Sequence, residues 1–158
     1  IRTFEYGNTT IKIRIATLDD LVDIQDCARQ AYTKYIERIG KEPAPMIADF
    51  ARQIELGHVS VAYNESSFSG YVVFYKKENH LHLENVAVLP SQSGKGIGKR
   101  LIKHVELTAL NHNIKAVELY TNEAMTENLS MYPKLGYIEF ERKFEDGFYR
   151  AFFRKDIK

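Results

Sequence analysis

The sequence predicts a single α/β domain of the α+β kind, in which a mixed, mostly antiparallel sheet of about six or seven strands carries helices on both faces. Three observations carry that reading. Apolar spacing switches repeatedly between the period of a strand and that of a helix, and antiparallel hairpin signals come first, with strand-helix-strand units after them. The chain has 158 residues, 44% of them hydrophobic, enough for one sizeable core that buries roughly 70% of the unfolded surface. Residues 1–158 read as one domain, with 1–10 as an N-terminal extension.

Ile11, Ile13 and Ile15 alternate with Lys12, Arg14 and Ala16, a half-buried strand. Thr17 with Asp20 three places on resembles a capping box. Leu21, Ile24, Ala28, Ala31, Tyr35 and Ile39 then recur at helical spacing, which predicts a helix from about Leu18 to about Arg38. Gly40 and the segment 41–45 break it. Pro45 suits the start of a second helix over Met46–Leu56, closed by Gly57. His58–Tyr63 and Phe68–Lys76, rich in β-branched and aromatic residues, make a hairpin about the turn Asn64-Glu65-Ser66-Ser67.

A strand over His80–Leu89 ends at Pro90, and a Ser- and Gly-rich loop opens a helix from near Gly96 to about Asn111. Ala116–Thr121 reads as a strand, Thr126–Leu135 as a short helix closed by Gly136, and Tyr137–Phe144 as a strand. Asp146-Gly147 then turns the chain into a last strand, Phe148–Arg154.

Composition excludes several function classes. With 22 Lys and Arg against 21 Asp and Glu the formal charge is +1, so no whole-protein field attracts nucleic acid or an anionic membrane. The single cysteine, Cys27, permits no internal disulfide and no paired-cysteine zinc site, which suits a reducing, cytoplasmic compartment. Residues 1–10 have neither a signal-like apolar core nor a basic amphipathic pattern, and no apolar run has the ~18 residues of a transmembrane helix. The basic cluster Lys95, Lys99, Arg100, Lys103 and His104 lacks interleaved aromatics, so it reads as a solvated face or a holder of small-ligand phosphate rather than a nucleic-acid site.

The stretch from Leu83 to Leu101 carries the chemistry. A strand runs into the glycine-rich turn Ser93-Gly94-Lys95-Gly96-Ile97-Gly98 and on into a helix. Free backbone N–H groups and the positive end of the helix dipole suit such a turn to a pyrophosphate. A Walker A loop would need glycine where Ser93 stands and Ser or Thr where Arg100 stands. A dinucleotide fingerprint would need its third glycine at Lys99 or Leu101. Neither motif fits.

The loop resembles the acetyl-CoA loop of the GNAT superfamily of N-acetyltransferases, Q/R-x-x-G-x-G/A between a strand and a helix. The likeness extends to Leu83–Val88 before the loop and to Tyr120–Leu129 and Met131–Tyr137 after it, with matching element order from about Ile11 to the C-terminus. The resemblance implies the GNAT fold, acetyl-CoA as acyl donor and CoA as product. It also implies cofactor contacts from Val86, Ala87, Val88, Ser93, Gly94, Lys95, Gly96, Ile97, Gly98 and Lys99. Ser93 stands where the family usually has Gln or Arg, with Gln92 one place early, which leaves the pyrophosphate to backbone amides, Lys95 and Lys99. Met125 stands where many members have asparagine, so Asn122 or Asn128 would supply that contact.

The same resemblance implies the reaction's residues. An amine acceptor, whose ordinary pKa is ~10.4, is mostly protonated at neutral pH and must lose a proton before it attacks. Glu84 is the candidate base, directly or through a water; the plain alternative is a solvated or ion-paired strand carboxylate. Tyr132 matches the tyrosine that protonates the departing CoA thiolate, with core packing as its plain alternative. The Val88 N–H is the implied oxyanion donor. Acceptor contacts are expected from Tyr32, Tyr35, Arg38 and Met46, with Asp146 and Phe148 from the final hairpin.

The expected activity is transfer of acetyl from acetyl-CoA to a primary amine, without a covalent acyl-enzyme. One rival is a non-catalytic acyl-CoA-binding domain. Another is a metal enzyme using His80, His82 and Glu84, which alternate along one strand face, although the expectation is no metal. The acceptor's identity and a homodimeric state are both left open by the residues.

Overall fold

Strand-forming residues fill the N-terminus, and the isoleucine alternation there becomes the inward face of a sheet. In the computed structural model, which describes residues 2–6 and 9–158 with side chains from residue 10, β1 (Arg2–Tyr6) pairs antiparallel with β2 (Thr9–Ile15). Ile11 and Ile13 are buried while Lys12 is exposed, as their alternation requires. The expected N-terminal extension lies partly outside the described residues; its described part supplies β1 and the start of β2.

The chain forms two compact units. The first comprises residues up to Phe74 together with Asn85–His104; the second comprises Tyr75–Glu84 and Val105–Lys158. In the first unit β2 pairs antiparallel with β3 (Val59–Asn64), and β3 with β4 (Ser67–Lys77), through a turn in which Glu65 takes a φ of 58°.

The helical spacing after Thr17 yields a broken path rather than one helix. A 3₁₀ turn at Leu18–Asp20 leads into α1 (Leu21–Tyr32), then a 3₁₀ turn at Thr33–Tyr35 and α2 (Ile36–Ile39), ended by Gly40 at φ 86°. Ile24, Cys27, Ala28, Tyr32 and Tyr35 still point inward. The second helix also divides. Ala44–Ile47 is a 3₁₀ turn, Ala48 is extended, and Asp49 caps α3 (Phe50–Glu55) by accepting from the Arg52 N–H at 3.1 Å.

Asp20, almost fully buried, anchors the start of this path. Its carboxylate accepts two bonds from Arg14 (2.8 and 2.9 Å), the Thr17 N–H (2.9 Å) and the Tyr63 hydroxyl (3.0 Å). The Arg14 bonds lead in holding that carboxyl below its ordinary range. Cys27 is fully buried, and burial pushes its thiol up to about 12.

β5 (His80–Val88) leads through a 3₁₀ turn at Pro90–Gln92 into α4 (Ile97–Asn111). In the second unit β5 pairs parallel with β6 (Ala116–Asn122) over Leu81–Leu83 against Val117–Leu119. After α5 (Thr126–Lys134), β7 (Ile138–Glu145) and β8 (Phe148–Asp156) form an antiparallel hairpin. It turns at Asp146 and Gly147, with φ of 52° and 83°, the two positive values of a type I′ turn. β8 pairs antiparallel with β6 along its length, and β7 carries a bulge between Glu139 and Glu141.

Strand order is β1-β2-β3-β4-β5-β6-β8-β7. The fold is the expected mixed α/β architecture with a mostly antiparallel sheet. Seven of its strands stand where the alternation places them, and β1 is additional. The second unit's core centres on Leu119, Ala151 and Phe153, with Tyr132 of α5 and Tyr137 packed on Phe153 or on each other. Tyr137 donates to Glu106 at 2.9 Å, and Lys155 binds the other carboxylate oxygen at 3.0 Å.

Candidate active site

The first unit holds the loop. Along β5, Asn85 and Ala87 are buried and alternate with half-buried Val86 and Val88. Asn85 donates to the Tyr71 hydroxyl at 2.8 Å. The Tyr32 hydroxyl stands 2.8 Å from the Asn85 side-chain oxygen and 3.0 Å from the Val86 carbonyl. Tyr32, expected at the acceptor, thus braces β5. Gly70 of β4 lets the strands approach: a Cβ there would lie 2.5 Å from the Ala87 carbonyl oxygen.

Beyond β5, the Ser93 hydroxyl donates to the Pro90 carbonyl at 2.8 Å. Gly94 and Gly96 take φ of 80° and 78°, values that glycine adopts without strain, and no atom lies within 4 Å of where a Cβ would project from either. Open space and left-handed backbone leave both positions accessible to a ligand at the start of α4, where unpaired N–H groups and the helix dipole favour an anion. Lys95 and Lys99 are exposed there, Lys95 reaching Gln92 at 3.4 Å, and Ile97 is buried beneath the turn. Gly98 packs on Val88, with its projected Cβ 3.7 Å from Cγ2.

The second unit holds the titratable groups. Glu84 is half-buried and accepts from the Tyr75 hydroxyl at 3.2 Å. His82 is buried between the rings of Tyr75 and Tyr120, with centroids at 5.5 and 5.4 Å. Arg150, also buried, lies 4.1 Å over the Tyr120 ring, and its Nη1 bonds Glu145 (3.0 Å) and Asp146 (3.1 Å). Only strand pairing brings Tyr75, Tyr120 and Arg150 together, so no spacing along the sequence points to them. His80 stands 3.7 Å from Glu118. Among the described residues no group of three His, Cys, Asp or Glu side chains gathers as a metal site.

Burial, with smaller effects from Lys77, His80 and Arg150, lowers the His82 pKa from 6.5 to about 4. Above pH 6.5 the ring is neutral whether the chain is folded or unfolded. Between 6.5 and about 4 the unfolded chain binds a proton that the folded chain refuses, so stability falls as pH falls. We expect this group to cost about 3 kcal/mol by pH 4. Urea melts of the wild type and His82→Phe at pH 7 and pH 4 check this; the same pH-dependent loss in both would exclude His82 as its source.

Tyr132 is buried in α5, its ring 5.7 Å from Tyr137 and 5.8 Å from Phe153, and burial raises its phenol well above the ordinary value. Asn122 accepts from the Ala124 N–H at 2.9 Å, and Asn128 donates to the Thr121 hydroxyl at 3.1 Å. Both amides therefore shape the turn into α5. Met125 is buried, its sulfur 3.8 Å from the Thr121 hydroxyl. In the first unit, Arg38 and Lys34 each lie 5.0 Å from the Tyr35 ring centroid, and Met46 is half-buried.

Among solved structures, a GNAT-family acetyltransferase from Listeria monocytogenes aligns over 98% of this chain and 99% of its own, with TM-score 0.74 and 18% identity. PaiA N-acetyltransferase from Thermoplasma acidophilum, solved with coenzyme A, aligns over 92% and 98%, with TM-score 0.76 and 18% identity. The ribosomal-protein-S18-alanine N-acetyltransferase of Escherichia coli aligns over 93% and 94%, with TM-score 0.74 and 15% identity. At these identities the likeness is one of fold. No curated protein matches at the sequence level. The family model of the Acetyltransferase (GNAT) family matches residues 19–137, the span from the start of α1 through the glycine turn to Tyr137, and the chain accordingly belongs to the GNAT family of acetyltransferases, whose acyl donor is acetyl-CoA.

Proposed function

We propose that this protein transfers the acetyl group of acetyl-CoA directly to a primary amine. The observation that carries the proposal is the pair of left-handed, unobstructed glycines, Gly94 and Gly96, at the start of α4. In this reading the backbone of Ser93–Gly98, with Lys95 and Lys99, holds the pyrophosphate. The backbone of Val86–Val88 holds the pantetheine arm, in keeping with a β5 that runs on past its last β6 pair at Leu83.

Glu84 takes the amine proton, directly or through water, and the Val88 N–H stabilises the oxyanion. Tyr132, a phenol protonated at neutral pH, gives its proton to the departing thiolate. Starting from the ammonium form, the nitrogen gains the acetyl group and loses two protons: one passes through Glu84 to solvent, the other restores the Tyr132 phenol after it has protonated the thiolate, and CoA leaves as the thiol. Asn122 and Asn128 serve the cofactor by shaping the entry to α5. Tyr35, Arg38 and Met46 contact the acceptor, and Tyr32 acts through its brace on β5.

Calorimetric titration with acetyl-CoA, and then with acetyl-pantetheine, which lacks the pyrophosphate, tests the loop's role. Saturable binding of the first and at least ~100-fold weaker binding of the second is expected, since each tenfold step is about 1.4 kcal/mol. Equal affinities would remove the pyrophosphate role from the turn. An amine screen scored by mass spectrometry of the acetylated product then separates an enzyme from a binding domain.

A further inference from the structure

The Glu84 carboxylate does not stand alone on β5. Tyr75 reaches it from β4 with a hydroxyl at 3.2 Å, and the Tyr75 ring is fixed by packing on His82, whose other neighbour is Tyr120 of β6. Arg150 of β8 covers Tyr120. The carboxylate is half-buried, and the Tyr75 hydroxyl donates to it from a ring that neighbouring rings hold in place. A base whose oxygen is held in this way presents its other lone pairs in a defined direction, which proton transfer at hydrogen-bond distance requires.

We propose that Tyr75 is a positioning residue for acetyl transfer, its hydroxyl holding the ionised Glu84 carboxylate in the orientation that receives the acceptor's proton. The inference rests on the reading of Glu84 as base. The groups around Glu84 have distinct roles. Burial and the neighbouring Glu84 push the Tyr75 phenol up to about 12, so near neutral pH it is a donor. Tyr120 is likewise raised, chiefly by burial. His82 is neutral above about pH 4, and Lys77 and Arg150 act on His82 to disfavour its charging. The Tyr75 hydroxyl donates to the carboxylate at 3.2 Å.

Tyr75→Phe removes the hydroxyl and keeps the ring against His82. The deciding measurement is the ¹³C spectrum at about pH 7 of protein labelled at the glutamate carboxyl and saturated with acetyl-CoA, with Glu84→Gln used to assign the Glu84 resonance. The Glu84 carboxyl resonance is expected to move in Tyr75→Phe, with the other glutamate carboxyl resonances unmoved. An unmoved Glu84 resonance would overturn the proposal, and so would an equal shift of many carboxyl resonances, which marks a general rearrangement. The base reading fails separately: it falls if Glu84→Gln turns over acetyl-CoA with an alanyl-peptide or diamine probe at the wild-type rate, whatever Tyr75→Phe does to the spectrum.

Discussion

Tyr132→Phe is expected to lower kcat by about 10²–10⁴-fold while leaving acetyl-CoA affinity within a few-fold of the wild type. The ring packs on Tyr137 and Phe153 through its apolar faces, contacts that phenylalanine retains, so the fold loses little. What would be lost is the proton proposed for the leaving thiolate. Steady-state kinetics beside calorimetry with acetyl-CoA makes the check. Unchanged turnover with intact binding would leave Tyr132 as a core aromatic only. A fall in affinity matching the fall in kcat would assign it to binding.

Gly70→Ala should have the largest effect on stability. The added methyl would stand 2.5 Å from the Ala87 carbonyl oxygen and 3.2 Å from the Val88 Cα, both backbone atoms that no side-chain rotation can move. Relief requires β4 to move away from the strand that carries Val86–Val88. A cost of about 1–3 kcal/mol follows, together with a clear loss of acetyl-CoA affinity, because the displaced segment is the one proposed to hold pantetheine. Thermal melts with and without acetyl-CoA test both parts. A variant as stable as the wild type would show that β4 and β5 do not approach so closely. Gly94→Ala makes the useful contrast: its methyl meets no atom, so its cost is confined to the left-handed backbone.

The residues that local backbone geometry controls were readable in advance. Gly40, Gly57, Gly94, Gly96, Gly136 and Gly147 all take positive φ, and the Asp146-Gly147 turn follows directly from the dipeptide. The helical stretch after Thr17 was harder, because inward spacing is nearly the same in an α-helix and in one interrupted by 3₁₀ turns. Ile24, Ala28 and Tyr35 satisfy either. Asp49 three residues before Arg52 was a usable cap signal that marks where α3 truly begins.

The site divides along the same line. The backbone of the glycine turn depends on contiguous residues and is legible from them. The environment of Glu84 depends on Tyr75, Tyr120 and Arg150, which come from three other strands. No spacing within one strand reveals which side chains register will set beside it. For the same reason the brace from Tyr32 to Asn85 and Val86 was invisible. That residue advertised only an aromatic at a helical position, and its partners lie more than fifty residues away.

Cys27, sealed in the first unit with its thiol protonated far above neutrality, makes this enzyme unusually convenient to follow. It is the chain's one cysteine. Disulfide reagents react with exposed thiolate, so the native protein should give almost no background colour, and every equivalent of absorbance would count one coenzyme liberated. The same residue makes a built-in sentinel: a slow extra equivalent emerging during an assay would report that the helical layer had opened rather than that chemistry had occurred.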